Sequence, residues 1–344
     1  MRALLALEDG TVFEGESVGA AATAVGEAVF TTGMTGYQEV ATDPSFCGQI
    51  VCFTAPMVGN YGVADHRSES TGPHVRGVVM REARGPDWTE WLSSHGIPAL
   101  TGVDTRSLTL HLRERGALRA ALTADGSGAE AAVELAAGGP SMAGQALAGR
   151  VSTDTRYEFS EGDVRVAVVD YGVKRSILRQ LALHGAAVTV LPHDVDAVTL
   201  RGYDGVVLSN GPGDPEPLVD EIAVVRELLG RVPLLGICLG HQLLALATGL
   251  ATFKLPFGHR GANHPVIDRR SGRVLVTSQN HGFAVAPSED GAATHESLYD
   301  GTVEGLAFPE LRARSVQFHP EAGPGPHDAR SIIADWLEEV RLAA

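Results

Sequence analysis

The sequence has few of the features that mark secreted or membrane proteins. Its 344 residues include only three cysteines, Cys47, Cys52 and Cys238, which cannot all pair and which form no CxxC motif. A disulfide framework is therefore not expected. The chain has no uncharged apolar run of about 18 residues, and acidic residues interrupt the opening MRALLALEDG. We expect a cytoplasmic protein with reduced thiols and no membrane span.

Positive charge is also scarce. The formal net charge is -15, and no basic run interleaved with aromatic residues offsets it, so nucleic acid is not an expected partner. Neither GxGxxG nor a P-loop lysine pattern occurs, so we expect no nucleotide cofactor in this chain. The histidines of HRGANH, His259 and His264, match no common metal-ligand spacing, and no metal site is predicted.

The length and the 44% hydrophobic content predict two domains. Residues 1–152 combine short alternating strands with Gly turns and one helix near Asp104 to Arg115, which predicts a β-rich α+β domain. We place a linker at 153–163, near the end of a Gly-, Ala- and Ser-rich stretch. In 164–344, VRVAVVDYG and later apolar runs alternate with helical patterns. This alternation predicts an α/β domain with a doubly wound, mostly parallel sheet.

Cys238 lies in LLGICLGHQLLALATG, where a predicted strand meets a predicted helix. Glycines at 236 and 240 leave room for a sharp turn, so GxCxG resembles a nucleophile elbow with a thiol instead of a hydroxyl. A helix N-terminus favours the thiolate, which is the attacking form. The alternative is a small buried cysteine that closes a strand.

A thiolate nucleophile needs an acid–base partner, and SVQFHPE offers one. If this stretch is a strand, His319 and Glu321 point to the same face, and the carboxylate can orient the imidazole. His241 lies inside the predicted helix and is expected to be structural. The alternative for His319 and Glu321 is that they are ordinary polar residues at a strand end.

Acyl transfer also requires donors for an oxyanion. The N–H of Leu239, directly after the cysteine, is one candidate. Gly213, in the turn SNGPGDP after another predicted strand, is the second. The alternative for this turn is a purely structural role.

Several longer motifs carry a family resemblance. NGPGDP, GICLGHQLLALATG, TSQNHGFAV and SVQFHPEAGPGPHDA resemble the triad (class I) glutamine amidotransferases in order and spacing. GEAVFTTGMTGYQEVATDPSFCGQIV, APMVGNYG and GVDTRSLTLHLRERGALRAAL resemble the amino-terminal domain found in the small subunit of glutamine-dependent carbamoyl phosphate synthetases. The resemblance covers nearly the whole chain.

The resemblance implies a role for particular residues. Cys238 would attack the amide of glutamine and form a thioester, His319 would transfer protons, and Glu321 would orient His319. The residues implied in glutamine binding come from both domains, with the site at their interface: Ser45, Gly211, Gly213, Leu239, Gln242, Asn280, Gly282 and Phe283. The QNHGF segment that holds the last three could also be a turn, since Asn and Gly favour turns, and the two interpretations are compatible.

The resemblance also implies a partner. A large synthetase subunit would use ATP, Mg²⁺ and bicarbonate, receive ammonia through a tunnel, and supply arginine and pyrimidine synthesis, while this chain would hold no cofactor. Two alternatives remain at this point. One is a free-standing thiol hydrolase on the same fold, and the other is a catalytically silent regulatory subunit.

Overall fold

The computed structural model describes residues 2–287 and 291–343. The chain divides into two compact units, one formed by 1–143 with 255–260 and the other by 144–254 with 261–344. None of the described helices has the length and apolar character needed to cross a membrane.

The first unit is built on a sheet. Its described strands are β1 (Arg2–Leu7), β2 (Val12–Ser17), β3 (Thr23–Thr31), β4 (Gln49–Phe53), β5 (Gly77–Val79), β6 (Ala99–Thr101) and β7 (Leu118–Thr123). They close on themselves in the order β1-β2-β6-β5-β4-β3-β7. Its described helices are α1 (Tyr37–Thr42), α2 (Pro86–Ser94), α3 (Thr105–Arg115) and α4 (Ala129–Gly138).

Alternation along β4 shows how this sheet is covered on both sides. Ile50 and Cys52 pack into the core that contains Leu108 of α3, whereas Val51 and Phe53 pack against Trp88 of α2. Successive side chains of a strand point to opposite faces, so alternate residues of QIVCF pack into two different cores. The predicted helix is α3, and the carboxylate of Asp104 caps it by accepting from the Ser107 N–H.

The second unit has an open sheet. Its described strands are β8 (Tyr157–Glu158), β9 (Val164–Asp170), β10 (Ala186–Pro192), β11 (Gly205–Leu208), β12 (Leu234–Ile237), β13 (Thr252–Asp268), β14 (Val274–Val285), β15 (Ala293–Ser297), β16 (Val303–Phe308) and β17 (Ala313–Val316). Its described helices are α5 (Arg175–Leu183), α6 (Ala197–Leu200), α7 (Val219–Leu228), α8 (Leu239–Ala247) and α9 (Ser331–Ala343).

The strand order of this sheet is β14-β13-β15-β16-β17-β12-β11-β9-β10-β8, and the run from β17 to β10 is parallel. Val166 and Val168 of β9 pack with α5 and α9, while Ala167 and Val169 pack with α7 and α8. Helices therefore cover both faces, as predicted. The carboxyl ends of the parallel strands are where such sheets place their sites.

The unit boundaries differ from the domain limits expected from the sequence. The first unit ends at 143 and not at 152, because Ala148 is buried in the core of the second unit beside Tyr171. The expected linker 153–163 contains β8, which pairs with β10. Residues 255–260 belong to the first unit, where Phe257 stacks on Phe30. The amino-acid composition does not change at these positions, so it could not have predicted the unit boundaries.

Candidate active site

Cys238 occupies a sharp turn between β12 and α8. Its backbone has φ 54° and ψ -101°, a left-handed conformation that a non-glycine residue rarely adopts. A Cβ atom at Gly236 would meet the backbone of Gly240, and one at Gly240 would collide with the carbonyl of Leu208. Only glycine fits at either position, so the geometry of the predicted elbow is present.

The thiol is enclosed by its neighbours. Cys238 is 2% exposed, and its Sγ donates to the main-chain oxygen of Asn280 at 3.6 Å. The Cys238 N–H donates to Val316 O at the end of β17 (2.9 Å), which ties the turn to the sheet. The thiol is thus fixed at the carboxyl ends of β12 and β17.

His319 and Glu321 meet as the sequence predicts, although not on a strand. Nδ1 of His319 lies 2.8 Å from Oε1 of Glu321, and the two residues are 2% and 1% exposed. The predicted strand SVQFHPE ends early, because β17 stops at Val316. His319 keeps only an isolated bridge to Ser278, and Pro320 has no N–H to continue the ladder.

Lys174 is a site residue that sequence reasoning missed. It lies between β9 and α5, and its Nζ is 2.5 Å from Oε1 of Glu321 and 3.0 Å from the carbonyl oxygen of Gly323. Its side chain is 3% exposed. The available signal was its position directly after a parallel strand, at the same end of the sheet as Cys238. A lysine this deeply buried requires a paired carboxylate.

These contacts set the charges of the site. Burial raises the pKa of Glu321, but attraction to Lys174 and His319, with hydrogen bonds to both, outweighs it and lowers this pKa to about 2. Burial and Lys174 lower the pKa of His319, but Glu321 and the nearby thiol outweigh them and raise it to about 10. At neutral pH the site therefore holds a carboxylate between two cations.

The second imidazole nitrogen is free for chemistry. Nε2 of His319 is buried and has no hydrogen-bond partner among the described residues. Cys238 lies near enough to contribute to the raised pKa of His319, although the strict geometry of a hydrogen bond is not met. Catalytic hydrogen bonds are often loose without substrate and tighten when it binds.

In the second unit, the residues expected to contact glutamine lie on the loop after β11, on helix α8 and on strand β14. Gly211 and Gly213 follow β11, and a Cβ at Gly211 would collide with the main chain of Tyr171. Gly213 has φ 96° and forms a β-bridge with Ala146. The backbone therefore favours glycine at both positions, whether or not they bind glutamine. Leu239 is the first residue of α8, where an N–H lacks a partner within the helix. The oxyanion role of Leu239 and Gly213 stays a prediction.

The QNHGF segment is a strand and not a turn. Asn280, Gly282 and Phe283 lie within β14, in which the ladder overrides the turn preference of Asn and Gly. Nε2 of Gln242 donates to the oxygen of Phe283 at 2.8 Å and to Oε1 of Gln317 at 3.1 Å. These bonds join α8 to β14, and the glutamine-binding roles of the four residues stay predictions.

His241 and Ser45 are the remaining residues considered from the sequence. His241 is fully buried, its Nδ1 is 2.8 Å from the hydroxyl of Ser315, and burial lowers its pKa to about 3, which fits the expected structural role. Ser45 belongs to the first unit, in a short 3₁₀ turn capped by Asp43. Its part in glutamine binding also stays a prediction.

Comparison with known proteins identifies the family. Residues 5–122 match the carbamoyl-phosphate synthase small chain, CPSase domain, and residues 167–339 match the glutamine amidotransferase class-I family. The chain belongs to the carbamoyl-phosphate synthase small-chain family. It is a glutamine-hydrolysing amidotransferase subunit, and the second match coincides with the unit that carries Cys238.

Curated relatives match over nearly their full length. The carbamoyl phosphate synthase small chains of Methanopyrus kandleri and Xanthomonas campestris pv. campestris are 47% and 49% identical to this chain. Each alignment covers 99% of this chain, with 99% and 98% of the relative. A solved glutamine amidotransferase of Thermotoga maritima covers 52% of this chain and 88% of its own, at 23% identity and a TM-score of 0.38.

Proposed function

We propose that Cys238 is the nucleophile of glutamine hydrolysis in this chain. In the reacting form the thiol proton has passed to Nε2 of His319. The thiolate attacks the side-chain amide carbon of glutamine, and a bond forms between Sγ and that carbon. The carbon–nitrogen bond then breaks, and His319 gives its proton to the leaving ammonia. The observation that carries this proposal is the enclosed thiol at a strained elbow beside a buried imidazole, whose Nε2 has no partner among the described residues.

The second half of the reaction uses the same groups in reverse. Neutral His319 takes a proton from water, which attacks the thioester carbon and releases glutamate and the thiolate. Glu321 holds the imidazole by its Nδ1 and stabilises its positive charge, and Lys174 fixes the carboxylate. The N–H groups of Leu239 and Gly213 are the proposed donors to the oxyanion.

The ammonia needs an acceptor outside this chain. We propose that the partner is a large synthetase subunit, which uses ATP, Mg²⁺ and bicarbonate and receives ammonia through a tunnel to make carbamoyl phosphate for arginine and pyrimidine synthesis. The names of the relatives, all small chains, support this assignment. This chain itself needs no cofactor for the thiol chemistry, and its proposed location is the cytoplasm.

The test measures ammonia release from glutamine by the purified chain, with and without the large subunit, ATP and bicarbonate. We expect stimulation by the partner, and a loss of activity of about 10⁴-fold or more in Cys238→Ala, because no other group replaces the nucleophile. Cys47→Ala is the matched control and should retain activity. Equal activity with and without the partner would indicate a free-standing hydrolase, and inactivity of the wild-type chain in both assays would indicate a silent subunit.

A further inference from the structure

The first unit carries a concentration of positive charge that glutamine hydrolysis does not use. Arg81, Arg106 and Arg113 line one cavity of about 400 Å³ together with four threonines, and no carboxylate lines it. We call these three residues the arginine patch. All three are exposed. The cavity is notable because the chain as a whole carries a net charge of -15.

The arginines of the patch form no ion pair in the part of the chain that the structure describes. Other arginines of the same unit do: Arg84 lies 2.5 Å from Glu82, and Arg119 lies 2.6 Å from Glu8. The carboxylate of Asp104, at the start of α3, accepts from the N–H and hydroxyl of Ser107. The positive charge of Arg81 also acts on this carboxylate, which does not line the cavity. The like charges of Arg106 and Arg113 on α3 repel each other, so this arrangement favours an external anion.

One exposed apolar side chain lines the same cavity, and two others lie close in sequence to lining residues. Leu110 lines it and is 45% exposed, Met57 follows a proline that lines it and is 44% exposed, and Met34 lies two residues after a lining threonine and is 68% exposed. Arginine and methionine are enriched in protein–protein interfaces, and arginine is a frequent hot-spot residue. A small oxyanion would use the guanidinium groups but would leave these apolar side chains in water.

Helix α3 presents the patch on a rigid element. Arg106, Leu110 and Arg113 follow the spacing i, i+4, i+7 and share one face, while Leu108 and Leu112 on the other side are fully buried in the core. The exposed face can therefore bind a partner without any change in the packing of the unit. Helices held in this way present contact residues with little loss of conformational entropy.

We infer that the arginine patch, with Leu110 and Met57, is a docking surface for an acidic and partly apolar segment of the large synthetase subunit. The inference rests on the proposed function for the existence of that partner. A second copy of this chain fits less well, because two chains with a net charge of -15 repel each other. Carboxylates of the large subunit would pair with the guanidinium groups, and its apolar side chains would cover the leucine and the methionine.

The test is the dissociation constant of the purified large subunit for the full chain, measured by calorimetry at low and at high salt. For the double variant Arg106→Glu/Arg113→Glu we expect binding at least about tenfold weaker and a smaller dependence on salt. Arg115→Glu, on the same helix but outside the cavity, is the matched control and should bind within about twofold of the wild type. Unchanged affinity in the double variant would overturn the inference.

Further arms separate the other occupants. If the Glu variant fails to fold, Arg106→Gln/Arg113→Gln is measured instead, with the same expectation. Phosphate binding is measured as well. If inorganic phosphate binds saturably and the large subunit does not displace it, the inference is overturned in favour of a small-anion site. Self-association of the wild type that the double variant abolishes, with unchanged affinity for the large subunit, would overturn it in favour of a second copy.

The same samples separate this inference from the proposed function. Ammonia release by the isolated chain does not depend on the patch, so the double variant should keep the basal activity. Cys238→Ala should bind the large subunit like the wild type. If the wild type releases no ammonia but the double variant still loses affinity, the docking surface stands and the proposed function falls.

Discussion

Two groups of charged residues illustrate opposite rules of protein electrostatics. In the second unit, Lys174, Glu321 and His319 are nearly inaccessible to solvent, and both Lys174 and His319 lie within hydrogen-bond distance of Glu321. In the first unit, the arginines of the patch are exposed and have no ion pair among the described residues. A buried charge must find its partner inside the fold, whereas an exposed charge can stay in water until a partner arrives.

This contrast predicts a large loss of stability when one buried partner is removed. In Lys174→Met, Glu321 keeps its negative charge but loses the cation at 2.5 Å. We expect the free energy of unfolding to fall by about 3–5 kcal/mol, because a buried ion pair is broken and, among the described residues, only His319 then remains as a cation beside the carboxylate. Denaturant unfolding of the purified chain measures this difference.

The same replacement at Lys254, the partly exposed lysine of β13, is the matched control and should cost less than about 1 kcal/mol. A double-mutant cycle with Glu321→Gln isolates the interaction between lysine and carboxylate. A loss in Lys174→Met no larger than that of the control would show that the buried charges are solvated in some other way. The comparison between the two groups would then fail.

The pH dependence of stability sharpens the comparison at His319. Its pKa is raised from the ordinary 6.5 to about 10 in the folded chain. A raised pKa means that the stabilising contribution is complete below pH 6.5 and disappears as the pH rises through 10. Between these limits we expect the wild type to lose roughly 2–4 kcal/mol more than His319→Gln, measured by denaturant unfolding at successive pH values.

The control for this experiment is His327→Gln, which replaces an exposed histidine. Its stability profile should follow that of the wild type between pH 6.5 and 10. If His319→Gln loses stability over this interval as steeply as the wild type, another group titrates there, and His319 does not carry the charge that the site geometry gives it.

The sequence predicts those parts of the site that depend on local spacing. The glycines around Cys238 are needed because a Cβ at either position would meet backbone, and this requirement is visible in GxCxG. His319 and Glu321 are two residues apart, so their contact survives even though the strand ends at Val316. Lys174 could not be found in this way, because its contact with Glu321 joins distant parts of the chain.

The fold follows the same division between local and long-range information. The alternation of β-branched runs and helical patterns predicts the parallel strands and the helices on both faces. Successive residues of β9 pack alternately into the cores on the two faces of the sheet. The placement of Phe257 against Phe30 in the first unit depends on tertiary packing, which composition and period do not encode. The unit boundaries were therefore the least predictable feature of the fold.

The smallest expected effect concerns the exposed side of the comparison. In Arg113→Ala the free energy of unfolding should change by no more than about 0.5 kcal/mol, and a slight gain is reasonable because one of three like charges is removed. Arg119→Ala is the control, because Arg119 pairs with Glu8 and donates to the oxygen of Gly139 at 3.0 Å, and it should cost about 1 kcal/mol or more. Thermal and denaturant unfolding of both variants measure the difference. A loss above 1 kcal/mol in Arg113→Ala would mean that its guanidinium group already has a partner in the folded chain, and the reason to expect an external one would disappear.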